Sequence, residues 1–371
     1  MATKYNVTYA SDDSNMDFDT AYAFEYDRDY ISVVSEGIVW PSFGDEYSVP
    51  KSMGDQVKVH RLNALSITQT VAGIPDTLTE ATPPDGQYLS KTVVMLDVSQ
   101  YGEAVFVSDR LEFQDQDHNV GIAMELLGEW TANVLDYTAR AELCSGTNVW
   151  YLDDHVGGID GANTAAVAGT INKSVLEQMI RYADQNKMRA WKPAIVATDG
   201  VGTTPVPKGI PVIISARQKF DLRMLVGESN GFVPAHLYPS SERIHVMEIG
   251  SYDCLRFVMT DNPQVDLDAG VTTGASTLFY SDDDTNIDVH SMVMVGRHSY
   301  AVGKKLALDL QDDHDHAFVQ IIAKQLGSAG TKDPIDQVAS VGVKFYDIVG
   351  LLITEHVLEV QTAVSIFGTT S

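Results

Sequence analysis

The longest regular pattern in the chain lies over residues 118–145. Val120, Ala123, Leu127, Trp130, Val134, Tyr137, Ala141 and Cys144 recur at alternating steps of three and four, which draws one apolar stripe along a helix. Asp117 or Asp115 suits its start, and Gly146 suits the left-handed position that closes it. At a rise of 1.5 Å per residue the helix runs roughly 40 Å, well beyond the usual length of about 11–12 residues. The pattern occurs in one segment alone, so it predicts a long helix laid across a sheet and not a coiled coil.

Period-two patterns flank it. Residues 56–69 alternate at Val57 and Val59 and again at Leu65 and Ile67, and residues 88–98 are equally β-rich. Between them stand Gly73, Pro75, Pro83, Pro84, Asp85 and Gly86, all turn formers. The prediction is a long hairpin with a wide, protruding tip. Two-stranded ribbons are marginal in water, so this one is expected to lean on another chain. Downstream, Ser174 and Glu177 predict a capping box opening a helix that runs to about Trp191, before Pro193. Strands are predicted at 210–215, 243–249, 255–259 and 291–295, separated by Asp-rich loops at 261–268 and 281–288. A short helix is predicted over 315–326, then β-rich runs at 341–346 and 357–361. Residues 1–50 mix acids with Tyr22, Phe24, Tyr26, Tyr30, Trp40 and Phe43 without a period. They predict a short helix near 20–37 and an arm lying on a surface of this subunit or a neighbour. The ordering is α+β.

Composition sharpens this. A chain of 371 residues with 44% hydrophobic and 20% charged residues has material for a core and for two or three subdomains. Lys and Arg number 25 against 51 Asp and Glu, a net charge of −26. Such a surface repels a polyanion and excludes sequence-specific nucleic-acid binding, which needs clustered cations. It also sets a repulsion that self-assembly has to overcome, and that salt would screen. The two cysteines, Cys144 and Cys254, form no CxxC pair, which fits a reducing compartment and excludes a multi-thiolate zinc site. No basic-then-apolar leader and no membrane-length apolar run is seen, so the expectation is a cytoplasm-like environment without a membrane.

Candidate chemistry is sparse. Gly227-Glu-Ser229-Asn-Gly231 has the spacing of a nucleophile elbow, which requires a strand before it and a helix after it. Phe232-Val-Pro234 follows instead and predicts a loop. His314 and His316, behind Asp312-Asp313, carry metal-ligand chemistry, as do Asp282, Asp283, Asp284 and the pair Asp266 and Asp268. Neither aspartate group has the glycine and closing glutamate of a calcium loop, so solvated acidic turns are the plainer reading. No cofactor-binding pattern is present. The methionines read as core filler. The residues themselves leave three classes open: a structural subunit, a hydrolase built on Ser229, and a cation-dependent acidic binding or adhesion module.

Several stretches, in order, resemble the major capsid proteins of the N-four-like tailed-phage family, which have the Hong Kong ninety-seven type fold. They are Tyr101-Gly102 with Val107-Ser-Asp109-Arg-Leu111; Leu127-Gly-Glu129 through Asp136 to Arg140-Ala-Glu-Leu143 and Gly146; Phe220-Asp-Leu-Arg223; Gly231-Phe-Val, Ala235 and Tyr238; Glu248-Ile-Gly250; Leu255-Arg-Phe257 with Thr260; Asp333-Pro334; and Gly342-Val-Lys344. The resemblance spans roughly residues 54–365. It departs at Asp253-Cys254, where the family often has a glycine, and at Val343, where it has an aromatic.

The resemblance implies an N-terminal arm over 1–53 and an extension-loop hairpin over 54–100, with Gly73, Pro75, Pro83, Pro84 and Gly86 as inter-subunit contacts at its tip. It implies a peripheral domain over 101–159 and 333–371, carrying a spine helix at 118–145 whose core face is Val120, Leu127, Trp130, Val134 and Tyr137. Residues 160–332 are the implied axial domain. The implied function is a self-assembling, non-enzymatic shell subunit of a double-stranded DNA phage, without cofactor. Its implied partners are many copies of itself, a portal, scaffolding or decoration proteins, and loosely apposed DNA. It implies a virion capsid assembled in a bacterial cytoplasm.

Overall fold

A computed structural model describes residues 38–47, 56–62, 69–71, 74–75, 80–81, 88–114, 119–153, 158–159, 161–192, 208–225, 231–237, 243–272, 279, 281, 286–303, 319–324 and 337–366. All of these belong to one compact unit, residues 36–371. A 3-10 turn (Trp40–Phe43) and strand β1 (Asp45–Tyr47) come first. Strand β2 (Gln56–Leu62), the short pair β3 (Gln69–Val71) and β4 (Ile74–Pro75), and the 18-residue β5 (Lys91–Ser108) follow. Next are α1 (Asp109–Gln114), α2 (Asn119–Leu143), β6 (Val149–Tyr151), α3 (Lys173–Gln185), β7 (Ile210–Ser215) and α4 (Gln218–Met224). The remainder is mostly strand: β8 (Phe232–Pro234), β9 (Glu248–Tyr252), β10 (Leu255–Thr260), β11 (Val265–Asp266), β12 (Val289–Val295), β13 (Tyr300–Gly303), β14 (Val319–Lys324), β15 (Val338–Leu351) and β16 (Val357–Thr362).

Two mixed sheets organise these strands. The first has the order β1-β13-β15-β5-β2, with β14 also on β15. The second has the order β6-β16-β12-β7-β10-β9-β8, with β11 also on β12. The chain passes from the first to the second through α2, returns between β12 and β13, and passes over again between β15 and β16. The 210–215 segment shows why the second sheet lies at the centre of the fold. Every residue of Ile-Pro-Val-Ile-Ile-Ser is buried, as expected of a strand covered on both faces. Ile210, Val212 and Ile214 join Met292, Met294, Leu358 and Val360 in a core closed by Val175, Leu176, Met179 and Ala183 of α3. Ile213, Val293, Val295 and Val357 face the other way, into a core with Trp40, Phe43, Tyr300 and the end of α2.

Strands β2, β7, β10, β12, β15 and β16 fall where alternation or apolar runs placed them. Other expectations are corrected. The 315–326 segment is strand β14 from Val319 to Lys324, antiparallel to β15, because its β-branched pair Ile321-Ile322 completes the ladder on that strand. The helix opening near Ser174 is capped by Asn172, whose side chain accepts the Val175 N–H at 3.0 Å, in place of a Ser174–Glu177 box. It stops at Gln185 and not near Trp191, since Lys187 takes a left-handed φ of 52°. Within 243–249 the strand begins only at Glu248. The strand predicted at 88–98 continues to Ser108, because β15 pairs with it from Val98 to Ser108. The β9–β10 turn places Asp253 at φ 47°, which accounts for a family glycine at this point: the left-handed region favours glycine, and aspartate tolerates it. Residues 1–37 and the helix expected near 20–37 lie outside the described residues.

Helix α2 holds the two sheets together by burying different faces along its length. Ala123 and Leu127 pack with Val341 and Val343 of the first sheet, and Trp130 stands edge-on to Phe345. One turn further on the buried side has rotated. Ala139 and Leu143 pack with Ile213, Val293 and Tyr300, while Tyr137 is exposed with the Arg140 guanidinium 4.9 Å from its ring centroid. Between these faces, Asp136 is buried within the fold. Its Oδ1 accepts the backbone N–H groups of Val39 (2.9 Å) and Trp40 (3.0 Å), and its Oδ2 accepts Asn262 Nδ2 (3.0 Å). Burial raises its pKa, and those hydrogen bonds and Arg140 partly oppose the rise. Trp40 Nε1 donates to the Asn262 carbonyl at 2.9 Å, and Tyr300 Oη donates to the Trp40 carbonyl.

Truncation of that carboxylate leaves three buried donors without an acceptor, each worth about 1–3 kcal/mol. Asp136→Ala is therefore expected to lose about 3–5 kcal/mol in denaturant unfolding of the subunit, and Asp136→Asn, which keeps one acceptor oxygen, distinctly less.

His290 on β12 gives a second test. It is buried, and burial with the nearby Arg217 charge pushes its imidazole down to about 4. A folded value below the unfolded one means that the unfolded chain binds the proton first. Stability is then lost as pH falls from about 6.5 towards 4, by at most roughly 3 kcal/mol. Burial shifts Asp136, Asp221 and Glu359 upward, which works in the opposite sense. The comparison is therefore differential: His290→Gln is expected to lose less melting temperature than wild type between pH 7 and pH 5.

Candidate functional site

Three exposed apolar side chains, Leu62, Val93 and Met95, share one face of a two-stranded ribbon. β2 and β5 pair antiparallel from Gln56↔Asp97 to Leu62↔Lys91, and the register sorts their side chains onto two faces. One face, with Val57, Val59, Val94 and Leu96, packs on Ala301, Ile348 and Tyr47. The other carries Lys58 beside Met95, His60 beside Val93, and Leu62 beside Lys91, all of them exposed. Leu62 is 66% and Met95 57% exposed. Near one end of the ribbon Tyr88 is 95% exposed, and in α1, beyond the far end of β5, Phe113 is 90% exposed. Phe106, farther along β5, is exposed too.

Scattered apolar residues on a surface are ordinary; a contiguous set on a two-stranded ribbon marks a contact surface. This face is also cationic. Lys58 and Lys91 lie on it, whereas the chain as a whole carries −26; Arg61 belongs to the opposite face and pairs with Glu355 at 4.0 Å. Its acid, Asp97, accepts Gln56 Nε2 at 2.7 Å across the ladder. The charges and the apolar groups are thus interleaved at two-residue spacing, which the β period dictates. Sequence patterning located the ribbon. It did not identify its outer face as a mixed apolar and basic surface, although the alternation Lys58, His60, Leu62 was its signal.

Beyond the ribbon, β3 and β4 pair as a second small hairpin that includes Pro75. Gly73, Pro83, Pro84 and Gly86 lie outside the described residues. Of the spine-helix positions, Leu127 is buried, Trp130 and Val134 are half-buried and Tyr137 is exposed; the side chain of Val120 is outside the description. The heptad-like reading misplaces the later positions because 3.5-residue steps drift from a 3.6-residue helix, and because the second half of α2 packs on a different sheet.

Most of the other candidate positions lie outside the described residues. Ser229 lies outside the described residues, and the Gly231 that follows it leads into strand β8 and a 3-10 turn at Ala235–Leu237, not the helix a nucleophile elbow needs. His314, His316, Asp282 and Asp284 also lie outside the described residues. Asp268 is occupied locally: its carboxylate accepts the Asn286 N–H at 2.6 Å. Among the described residues no group of three or more His, Cys, Asp or Glu is placed to hold a metal ion. No described helix is long and apolar enough to cross a membrane.

A cleft does open at the carboxyl ends of the parallel strands β7 and β10, lined by Ser215, Arg217, Thr260, Asp261, Asp288 and His290. Among the described residues neither ring nitrogen of His290 has a hydrogen-bond partner, so it activates no hydroxyl there. Burial raises both thiols, that of Cys254 to about 11, which keeps them protonated.

No protein-family model and no curated protein matches the sequence. Solved structures do match. The capsid of cyanophage P-SCSP1u aligns over 92% of this chain and 92% of its own, with TM-score 0.57 and 11% identity. The capsid of Ralstonia phage GP4 aligns over 88% and 89%, with TM-score 0.57 and 14% identity. The cyanophage Pam1 capsid asymmetric unit aligns over 99% and 98%, with TM-score 0.56 and 14% identity. Coverage is nearly complete in both directions, and this chain has the fold of phage capsid proteins.

Proposed function

We propose that this chain is the major capsid protein of a tailed double-stranded DNA phage, building hexamers and pentamers of an icosahedral shell. The observation that carries the reading is the ribbon's outer face, an exposed apolar and basic surface on a chain with a phage-capsid fold. A subunit of a closed shell makes head-to-tail contacts with several copies of itself. Each contact is individually modest, but linked contacts raise effective concentration and slow dissociation. In this reading residues 54–100 form the extension loop and 1–53 the arm. Residues 101–159 with 333–371 form the peripheral domain around its spine helix, and 160–332 form the axial domain. The role is mechanical and not enzymatic.

The proposed partners are further copies of the chain, a portal, and scaffolding or decoration proteins. DNA meets the wall without being gripped, because a net charge of −26 opposes phosphate binding. The proposed location is the virion, after assembly in the host cytoplasm.

Burying a valine or methionine side chain contributes about 1.5–3 kcal/mol, so Val93→Asp with Met95→Asp should weaken each ribbon contact about a hundredfold or more. The expected outcome is an unchanged melting temperature with loss of shells in negative-stain micrographs. Deletion of residues 73–86 should act in the same way. Normal particles from both variants would remove the ribbon from the assembly interface.

A further inference from the structure

The charge count has a structural consequence. If each of the 25 Lys and Arg residues neutralised one acid, 26 carboxylates would still have no side-chain cation. Several cations are already committed: Arg256 to Glu248 in the buried pair at 3.5 Å, Lys208 to Asp184 at 2.7 Å, and Lys173 to Glu177 at 3.9 Å. Burial raises the pKa of Asp136, Asp221 and Glu359, yet these are three groups out of 51.

The other acids do not form one patch. Glu46 follows the 3-10 turn, Glu80 lies within the hairpin, Glu103 is on β5 and Glu125 is on α2. Asp253 is at the β9–β10 turn and Asp261 follows β10, all of them exposed. Acids spread over both sheets and their connections suit a diffuse atmosphere of small cations, not one bound polycation.

The ribbon is the exception in sign. Its outer face holds Lys58 and Lys91 against Asp97, a net +1, which leaves −27 on the rest of the chain, while Arg61 lies on the inner face and pairs with Glu355 at 4.0 Å. When two copies approach, ribbon attraction opposes body repulsion, and the body holds twenty-seven times the charge. Screening therefore removes far more repulsion than attraction. The Debye length falls from about 10 Å at 0.1 M to about 3 Å at 1 M salt. The apolar part of the ribbon contact, Leu62, Val93 and Met95, is not weakened by screening.

Resting on the capsid reading above, we propose that monovalent cations at molar concentration are an obligate partner of this acidic surface, and that folded subunits close into shells only in such a medium. The test uses the purified full-length chain in 0.1–3 M KCl, followed by light scattering, negative-stain microscopy and thermal melting. Shells are expected above about 1 M and not at 0.1 M, with a melting temperature that climbs steadily with salt. The quadruple variant Glu46→Gln, Glu80→Gln, Glu125→Gln and Glu129→Gln should assemble at a lower salt concentration than wild type.

Shells already present at 0.1 M KCl, or a variant with an unmoved threshold, overturn the salt requirement and leave the capsid reading standing. Shells restored at 0.1 M KCl by millimolar MgCl2 also overturn it, in favour of a discrete divalent site. A chain whose melting temperature is the same at 0.1 and 3 M and that assembles at no concentration removes both readings.

Discussion

Asp136 accepts the backbone of one chain segment, the side chain of another, and belongs to the helix that joins the two sheets. The Val39 and Trp40 amides end on one carboxylate oxygen and the Asn262 amide on the other. A charge placed in the interior is costly unless its lone pairs are satisfied. Three donors do that here, and Arg140, donating to the Pro263 carbonyl at 3.0 Å, closes the same corner. The arrangement forces three elements into one register: the turn at Trp40, the loop after β10 and the middle of α2. Tyr300, bonded to the Trp40 carbonyl, brings in β13, and β13 carries β1 in parallel. A hydrophobic contact at this corner would tolerate sliding; a carboxylate with directional partners does not.

The fixed corner lets one helix serve two sheets. In its first half α2 lies on β5 and β15, and in its second half it seals the outer core of the central sheet. Thr138 Oγ1, donating to Asp347 Oδ2 at 2.7 Å, ties this second half to β15 as well. Because β5 continues without interruption from that anchored region into its pairing with β2, the ribbon extends from a braced sheet. Its inner face is fixed by Leu96 against Ala301 and Ile348. The outer face is then displayed at a defined angle, which is what a repeating contact between identical subunits demands.

Much of this was legible in the residues. The all-apolar run at 210–215 announced a strand covered on both sides, and the alternation at 57–59 with turn formers downstream announced a ribbon. What sequence period could not show was the change of face along α2. A single stripe presumes a single partner surface, so Tyr137 reads as core by spacing and is in fact exposed. Asp136, in the same helix, falls off the apolar stripe and is buried. Its function depends on Val39, Trp40 and Asn262, partners 96 to 126 residues away that no local pattern connects to it. The 315–326 segment failed for a related reason. Its acids favour a helix start locally, but the open edge of β15 takes Val319–Lys324 as a strand, and tertiary pairing overrides propensity. The ribbon's outer face was legible in composition but not in meaning, because two lysines are unremarkable until the register puts them beside Val93 and Met95 on one face.

That placement resolves the tension between solubility and assembly. A chain at −26 stays dispersed because copies repel at long range. An interface made only of apolar groups would ignore that repulsion at contact but could not overcome it on approach. An interface made only of cations would attract the acidic surface of any neighbour without regard to shape. Interleaving the two on a β ladder, with Lys58, His60 and Lys91 alternating against Val93 and Met95, ties charge complementarity to a fixed two-residue spacing. Attraction then turns into stable contact only where a partner presents acids and apolar surface in the same register.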